Sequence, residues 1–357
     1  MIVQLSKMAP GAGHGGVERV VGQIRHVLIE ADVDNEVWCF GDGSNQGENG
    51  RGIIRTFKKT LSWHSTGVSV RLGWRLLSLR DSRILVHEPT VGVLLPLIVP
   101  FLWRRFVGRE NSLTIWWHCD IVGRGLIGSV SRSLQNVFLK RAEQVIVSSP
   151  NLIDCCPQLS VVDPGALTVI EFGTSDPWPN VAVKAPHLRV AFIGRLVWYK
   201  GVDVLLEAIK LVPVHLTIVG NGPLGSLLEG KTFGESTVEW LPDADDETCR
   251  RVLLASEVFV LPSTSNAEAF GLVLIESMAA GLALITSDLP TGVTHINREG
   301  ETGLVFPVGD HHALAERISR LAWDRTLLEK FSRAARLSFE KTYSEDKFRA
   351  RILKEFQ

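Results

Sequence analysis

The sequence predicts an α/β protein made of two doubly wound parallel-sheet domains. Three observations carry that expectation. Short apolar strand patterns alternate with helical patterns along the whole chain, as in parallel sheets covered by helices on both faces. The alternation breaks once, at the proline-rich, aperiodic stretch from Asp176-Pro177-Trp178-Pro179-Asn180 to Ala185-Pro186-His187, and restarts at Leu188. The length of 357 residues fits about two or three domains. The expected division is a first domain over 1–175, a linker over 176–187, a second domain over 188–340 and a C-terminal helix over 341–357.

The elements follow in order. Apolar runs predict strands at Ile2–Ser6, Glu36–Phe40, Arg83–His87, Leu113–Trp117, Gln144–Val147 and Leu167–Ile170. Helical spacing predicts Gly16–Glu30, Val68–Leu79, Val91–Phe106 and Ile127–Arg141 between them. The second series gives strands at Leu188–Ile193, His215–Val219, Thr237–Trp240, Glu257–Leu261, Ala283–Thr286 and Gly303–Val305. Its helices are Val202–Leu211, Asp246–Ala255, Gly271–Ala280 and His312–Trp323. The amphipathic helices Arg325–Lys341 and Glu345–Phe356 close the chain and are expected to pack across both domains.

Composition narrows the function. The net charge of −1 hides an asymmetry, because Arg51–Arg141 holds fifteen Lys/Arg against Asp81, Glu88, Glu110 and Asp120. That excess of eleven positive charges asks for an anionic partner. Within it, Val68-Ser69-Val70-Arg71-Leu72-Gly73-Trp74-Arg75-Leu76-Leu77 places tryptophan and arginine as on a face resting against anionic lipid headgroups, so the partner expected of region 51–141 is a membrane surface and not nucleic acid. A solvated helix with ordinary arginines is the plainer alternative. The longest apolar run, Val91–Trp103, has thirteen residues and two prolines, too few to span a bilayer. Met1 leads directly into a strand pattern, so no signal peptide is expected. Cys39, Cys119, Cys155, Cys156 and Cys249 lack metal or redox spacing and are expected to be reduced thiols of a cytosolic protein.

Several segments carry chemistry. Gly11-Ala12-Gly13-His14-Gly15-Gly16 matches G-x-G-x-x-G before a helix, with Asp42 after the second strand. This raises a nicotinamide-dependent oxidoreductase, while a glycine turn needed only for tight packing explains the spacing equally well. His118 ends an apolar strand, where a histidine either meets a ligand or is satisfied in the core. Gly194-Arg195-Leu196-Val197-Trp198-Tyr199-Lys200-Gly201 puts two cations beside a helix start, a plausible diphosphate clamp. Val219-Gly220-Asn221-Gly222-Pro223 either passes beneath a nucleotide base or is only a turn. Asp243, Asp245 and Asp246 precede a helical pattern, so Asp245 or Asp246 is expected to cap it; no metal is expected. The segment from Glu268 to Gly281 reads as a buried apolar helix interrupted by Glu276, a carboxylate needing a partner or a ligand hydroxyl. The backbone N–H groups of Phe270, Gly271 and Leu272 at its mouth suit a phosphate.

Taken together, Gly194-Arg195 with Lys200-Gly201, Val219-Gly220-Asn221-Gly222-Pro223, and Glu268-Ala269-Phe270-Gly271 running to Glu276-Ser277-Met278-Ala279-Ala280-Gly281 resemble the retaining glycosyltransferases of family four, and Leu261-Pro262-Ser263-Thr264-Ser265 before Glu268 looks most like bacterial surface-polysaccharide mannosyl- and rhamnosyltransferases. In the first domain the likeness rests on Gly15-Gly16-Val17-Glu18-Arg19 and His118. The resemblance implies the GT-B architecture, two Rossmann-like domains facing across a cleft. It implies that Arg195 and Lys200 bind the donor diphosphate, Glu276 the ribose and Glu268 the sugar hydroxyls. Phe270, Gly271 and Leu272 would lie nearby, with Gly220 and Asn221 at the nucleotide. His118 would touch the sugar from the opposite domain, and Gly15 and Gly16 would line the gap between donor and acceptor. Two departures stand out: Gly281-Leu282-Ala283-Leu284 replaces Gly-x-Pro-Val, and Pro290-Thr291-Gly292-Val293-Thr294-His295 replaces a loop ending in Gly-x-x-Glu.

The leading expectation is a metal-independent, cofactor-free retaining hexosyltransferase at the inner face of the cell membrane. It would move mannose or rhamnose from a nucleotide sugar, GDP-linked before UDP-linked, to a lipid-linked glycan. The alternatives are the oxidoreductase and a catalytically silent GT-B module.

Overall fold

The structure is a computed structural model and describes residues 1–11, 15–48, 51–63, 66–89, 94–96, 111–119, 126–176 and 187–357. The chain divides into two compact units, Met1–Ile170 with Arg349–Gln357, and Glu171–Phe348.

In the first unit the strands are β1 (Ile2–Leu5), β2 (Asn35–Phe40), β3 (Asn45–Glu48), β4 (Arg51–Phe57), β5 (Leu61–Trp63), β6 (Thr66–Val68), β7 (Arg83–Glu88), β8 (Ser112–Trp117), β9 (Gln144–Val147) and β10 (Leu167–Val169). One eight-stranded sheet has the order β10-β9-β8-β7-β1-β2-β4-β3, and β5 with β6 forms a separate hairpin. Seven of the eight strands run parallel and β3 closes the edge antiparallel to β4. The described helices are α1 (Gly16–Glu30), α2 (Val70–Leu77), α3 (Leu126–Leu139) and α4 (Pro150–Cys155). Val3, Leu5, Ile84, Val86, Ile115, Val145 and Val147 are all buried, as a sheet covered on both faces requires.

In the second unit, β11 (Leu188–Ile193), β12 (Val214–Val219), β13 (Thr237–Leu241), β14 (Val258–Leu261), β15 (Ala283–Ser287) and β16 (Gly303–Phe306) alternate with α5 (Val202–Ala208), α6 (Asp246–Ala255), α7 (Leu272–Ala279), α8 (Gly292–Ile296) and α9 (His311–Trp323). The order β13-β12-β11-β14-β15-β16 is parallel throughout. Strand order therefore reverses between β11 and β14, and ligands of such sheets bind beyond the carboxyl ends of the strands at that switch point. The core includes Phe192, Leu216, Ile218, Val260, Ile285, Phe306 and Ile318. Helices α10 (Arg325–Ser338) and α11 (Glu345–Phe356) end the chain, joined by a π-helical turn over Phe339–Tyr343.

Two sequence expectations change. The strand β4 was unread because Gly52 and Arg55 break its apolar pattern; Arg55 is satisfied across the ladder by Glu36 on β2, at 2.6 and 2.7 Å. Burial pushes the Glu36 carboxyl up, but hydrogen bonds from Arg55 and Trp38 outweigh it and hold the group below its ordinary value. The division also falls after Ile170 and not after residue 175. Phe172 packs edge-on against Phe270 at 4.9 Å and Phe348 at 6.5 Å, and the Thr174 amide donates to the Tyr343 carbonyl, so these residues belong with the second unit. The last helix, expected to pack across both domains, is shared between the units: Phe348 lies in the second, while Arg349–Gln357 belong to the first. There Arg83 donates to the Glu355 carbonyl and carboxylate at 2.7 and 2.6 Å and lies 4.4 Å over the Phe356 ring. The linker residues 177–186, and most of the helix expected at Val91–Phe106, lie outside the described residues.

Candidate functional site

The switch point of the second unit gathers the predicted cations and acids. The turn after β11 carries Arg195 and Lys200, and the loop after β14 carries Ser263 and Glu268. Lys200 Nζ donates to Glu268 Oε2 at 2.6 Å, and Ser263 Oγ donates to the same oxygen at 2.9 Å. The pair is largely withdrawn from water, with side-chain exposures of 13 and 8%. Lys200 and Glu268, read from sequence as ligands for phosphate and sugar respectively, are thus joined to each other. Arg195 is exposed, its guanidinium 3.4 Å from the Tyr199 hydroxyl.

Backbone geometry brings these loops together. Gly201 has φ +66°, and a Cβ there would lie 2.0 Å from the Pro262 carbonyl oxygen. Gly220 has φ +127°, and its Cβ would lie 2.2 Å from the Gly194 carbonyl oxygen. Side chains at these positions would force the β11 and β14 turns apart, or the β11 and β12 turns apart. Asn221 accepts from the Gly222 amide at 2.7 Å and its own carbonyl accepts from Leu196 at 2.9 Å. The Gly220–Gly222 turn therefore has a packing role of its own, independent of any nucleotide.

Helix α7 corrects the expectation for Glu276. Leu274, Ile275, Ser277, Met278 and Ala279 are buried, but Leu272, Val273 and Glu276 form a half-buried stripe at helical spacing. Glu276 thus stands on the less buried side of the helix, whereas the apolar composition had suggested burial all round. Gly271, at φ +78°, caps the helix, and the Leu274 amide already bonds to its carbonyl at 2.8 Å. The first amides of α7, those of Leu272 and Val273, have no acceptor within the helix. Phe270 is instead buried against Phe172 and Tyr343. The divergent loop docks on the same segment, with Thr291 Oγ1 donating to the Glu268 carbonyl at 2.8 Å and Gly292 N to the Ala269 carbonyl at 2.7 Å. Asp245 caps α6, accepting from Thr248 N at 2.8 Å.

His118, Gly15 and Gly16 belong to the first unit. His118 is 6% exposed, and its Nε2 lies 3.0 Å from Nδ1 of His87. His87 Nε2 in turn lies 3.1 Å from Gln4 Oε1. Burial pushes His118 down to about 3, and burial with the neighbouring His118 lowers His87 well below the ordinary histidine value. Gly15 is the N-cap of α1, and the Glu18 carboxylate lies 2.0 Å from where its Cβ would stand, so only glycine lets that acid fold over the helix end. In the oxidoreductase reading Asp42 would bind ribose. Instead its carboxylate accepts from Ser44 N at 2.9 Å and the Thr56 hydroxyl at 3.0 Å, bonds that hold it down at about 2; Gly13 lies outside the described residues.

His87 and Gln4 were not singled out from the sequence, and Ser263 entered only as part of the motif over 261–265, with no role of its own. Gln4 had a readable signal, a lone amide inside the apolar strand Ile2-Val3-Gln4-Leu5.

Residues 180–338 match the family described as glycosyl transferases group 1. The chain is 28% identical to the D-rhamnosyltransferase WbpZ of Pseudomonas aeruginosa over 325 residues, covering 87% of this chain and 83% of that one. It is 25% identical to the O-antigen chain mannosyltransferase C of Escherichia coli over 351 residues, covering 93% of this chain and 91% of that one. Among solved structures, sucrose-phosphate synthase from Thermosynechococcus elongatus superposes with a TM-score of 0.82 at 19% identity, covering 99% of this chain and 98% of the other. Anabaena HepE in complex with UDP and glucose gives a TM-score of 0.74 at 16% identity, with the same coverage. The fold is GT-B, as the sequence led us to expect.

Two outcomes follow from this geometry. Lys200→Met leaves a carboxylate buried without its cation and should destabilise the second unit by about 3 kcal/mol. Adding Glu268→Gln should recover at least ~1 kcal/mol of that in a double-mutant cycle; strictly additive melting shifts would show that the pair is not coupled. The buried histidines set a pH dependence. Unfolded, each titrates near ~6.5, whereas the folded chain keeps both neutral, so the unfolded state binds more protons as pH falls below that value. Stability should therefore drop on acidification from about pH 6.5, by up to ~1.4 kcal/mol per pH unit for each histidine. Urea midpoints measured across this range should show a shallower slope for His118→Gln; an unchanged slope contradicts the assignment.

Proposed function

We propose that this chain, whose residues 180–338 match the family described as glycosyl transferases group 1, moves a hexose, mannose or rhamnose, from a nucleotide sugar to a lipid-linked glycan in cell-surface polysaccharide synthesis. The observation that carries this reading is the convergence of Lys200, Glu268 and Ser263 at the β11/β14 switch point, beside the first amides of α7. The two relatives named above support the sugar and the polysaccharide, since one is a D-rhamnosyltransferase and the other an O-antigen chain mannosyltransferase. A GDP-linked donor is favoured by the resemblance of Leu261-Pro262-Ser263-Thr264-Ser265 to mannosyl- and rhamnosyltransferases; HepE, which was solved with UDP and glucose, keeps a UDP-linked donor as the alternative.

In this reading Arg195 and Lys200 neutralise the diphosphate, aided by the α7 amides. Glu276, on the open stripe of α7, accepts from the ribose hydroxyls. Glu268 holds a hydroxyl of the transferred sugar, and His118 also engages that sugar. Gly15 and Gly16 let the sugar or its acceptor approach the backbone closely, and Gly220 and Asn221 flank the base. Two cations meet the charge of the leaving diphosphate, so the reaction is read as metal-independent, and the resemblance to the retaining family-four enzymes reads it as retaining. The leaving group takes the acceptor proton, and the protein stabilises developing charge.

The acceptor end lies with the basic first unit. Leu61, Val70 and Trp74 are 74, 53 and 71% exposed, and Lys58, Lys59, Arg71 and Arg75 around them are exposed too, while Leu72 and Leu76 anchor α2 inward. That mixture of apolar and cationic side chains suits the anionic inner face of the cell membrane. Among the described residues no helix is long and apolar enough to cross a membrane, so attachment would be peripheral.

Two measurements test this. GDP- and UDP-sugars should raise the melting temperature, by the equivalent of about 2.7 kcal/mol at a hundredfold excess over Kd. Glu276→Ala should remove most of that shift, and a panel without any stabilising nucleotide sugar would refute the donor reading. Binding to vesicles should rise with the anionic lipid fraction and fall between low and physiological salt. Trp74→Ser with Arg71→Gln should weaken it; salt-independent binding would refute the membrane reading.

A further inference from the structure

The helix that carries Glu276 is short, and its carboxyl end is held from outside. α7 spans eight residues, Leu272–Ala279, so Glu276 stands in its last turn. Carbonyls at a helix end have no partner within the helix. For Ala279 the partner comes from α10, where Arg336 Nη1 donates to its carbonyl at 2.5 Å. A guanidinium has five N–H donors in a fixed fork, and Arg336 uses several of them at once. It donates to both carboxylate oxygens of Asp176, at 2.8 Å to Oδ1, and through Nε to Glu340 Oε1 at 2.8 Å.

Both ends of this tether are anchored independently. On α10, Phe331 and Ala335 are buried, and the Arg336 guanidinium lies 5.4 Å from the centre of the Phe339 ring. Asp176 ends a segment, residues 171–176, that is docked along its length. The Thr174 amide donates to the Tyr343 carbonyl at 3.0 Å. A Cβ on Gly173 would lie 2.6 Å from Phe348 Cβ and 2.8 Å from the Ser344 carbonyl oxygen, so backbone rests on backbone there. Phe172 packs against Phe270, the residue before the Gly271 cap of α7. The segment therefore meets the mouth of α7 through Phe270 and holds its far end through Arg336.

A carboxylate in the last turn of a helix faces the negative end of the helix dipole, and a cation placed at that end offsets it. Residues three apart share one face of a helix, so a fixed Ala279 carbonyl also fixes the turn from which the Glu276 side chain leaves. We infer that Arg336 is a positioning residue for the nucleotide-sugar donor: held by Asp176, it fixes the last turn of α7 and so aims Glu276 at the ribose hydroxyls. The inference rests on the donor reading proposed above. Arg336 acts through the backbone of a single turn, unlike Arg195 and Lys200, which in that reading meet the diphosphate themselves.

The test is titration calorimetry on the full chain with GDP and with dideoxy-GDP, which lacks the ribose hydroxyls; UDP and dideoxy-UDP serve if the chain prefers uridine. The natural sequence should bind GDP more tightly than dideoxy-GDP. Arg336→Met should raise the Kd for GDP about tenfold, the loss of one aligned hydrogen bond to a charged group, and leave the Kd for dideoxy-GDP unchanged. A merely structural Arg336 would weaken both nucleotides by the same factor. Should Arg336→Met fail to fold, Arg336→Lys keeps the charge without the fork, and Asp176→Asn keeps the shape without the charge. Each should produce a smaller rise confined to GDP. An unchanged Kd for GDP in the folded variants, or an equal loss for both nucleotides, overturns the inference while the donor reading stands. If the natural sequence binds neither GDP nor UDP, the donor reading fails and the inference falls with it.

Discussion

The ion pair between Lys200 and Glu268 is the constraint around which the second unit is arranged. It joins the turn after β11 to the loop after β14, the two segments that flank the reversal of strand order. Removing two charges from water is costly, and such a pair persists only where geometry is tight and remaining lone pairs are met. Here Ser263 supplies the extra donor and Gly201 permits the approach of the two backbones. An ammonium has three donors, so Lys200 can keep Glu268 while meeting a phosphate oxygen. The pair is thus a preorganised polar centre whose desolvation is offset within the fold itself, and in the proposed reaction a nucleotide-sugar donor would find the cation already oriented.

The same economy appears in the glycines. Gly194, Gly201 and Gly220 could be read as openings for a nucleotide, yet Gly201 and Gly220 have a sufficient cause in backbone meeting backbone. The close approach of three loops is what makes the switch point narrow enough for one lysine to reach one glutamate. Packing and ligand approach are therefore not rival explanations: the tight turn shapes the surface that a ligand would meet. Gly15 shows the limit of that argument, because the space it leaves is filled by the chain's own Glu18.

Much of this architecture was legible in the sequence, since parallel strands buried on both faces read as continuous apolar runs; β9, β11 and α6 were placed to the residue. Edge structure was not. The strand β4 needs Arg55, whose partner Glu36 lies nineteen positions away on β2, and no local pattern reveals such a pair. In the candidate site, residue identity was readable and environment was not. Composition made α7 look buried all round, whereas one stripe of it, with Glu276, stands half open. Conversely Lys200 and Glu268 were legible as ligand-binding types, but their union across sixty-eight positions was not.

Histidine chemistry in the first unit follows from the same distinction between identity and environment. His118 at a strand end was open to two readings, a ligand-facing group or a satisfied core residue, and the structure places it in the core, 6% exposed. Its Nε2 is committed to His87, so the interior half of the ring is a core residue with a fixed partner. The orientation of the other half is set by that commitment, through a ring that Trp116 keeps from turning. A buried neutral histidine gives up pH sensing and gains a defined pattern of donor and acceptor.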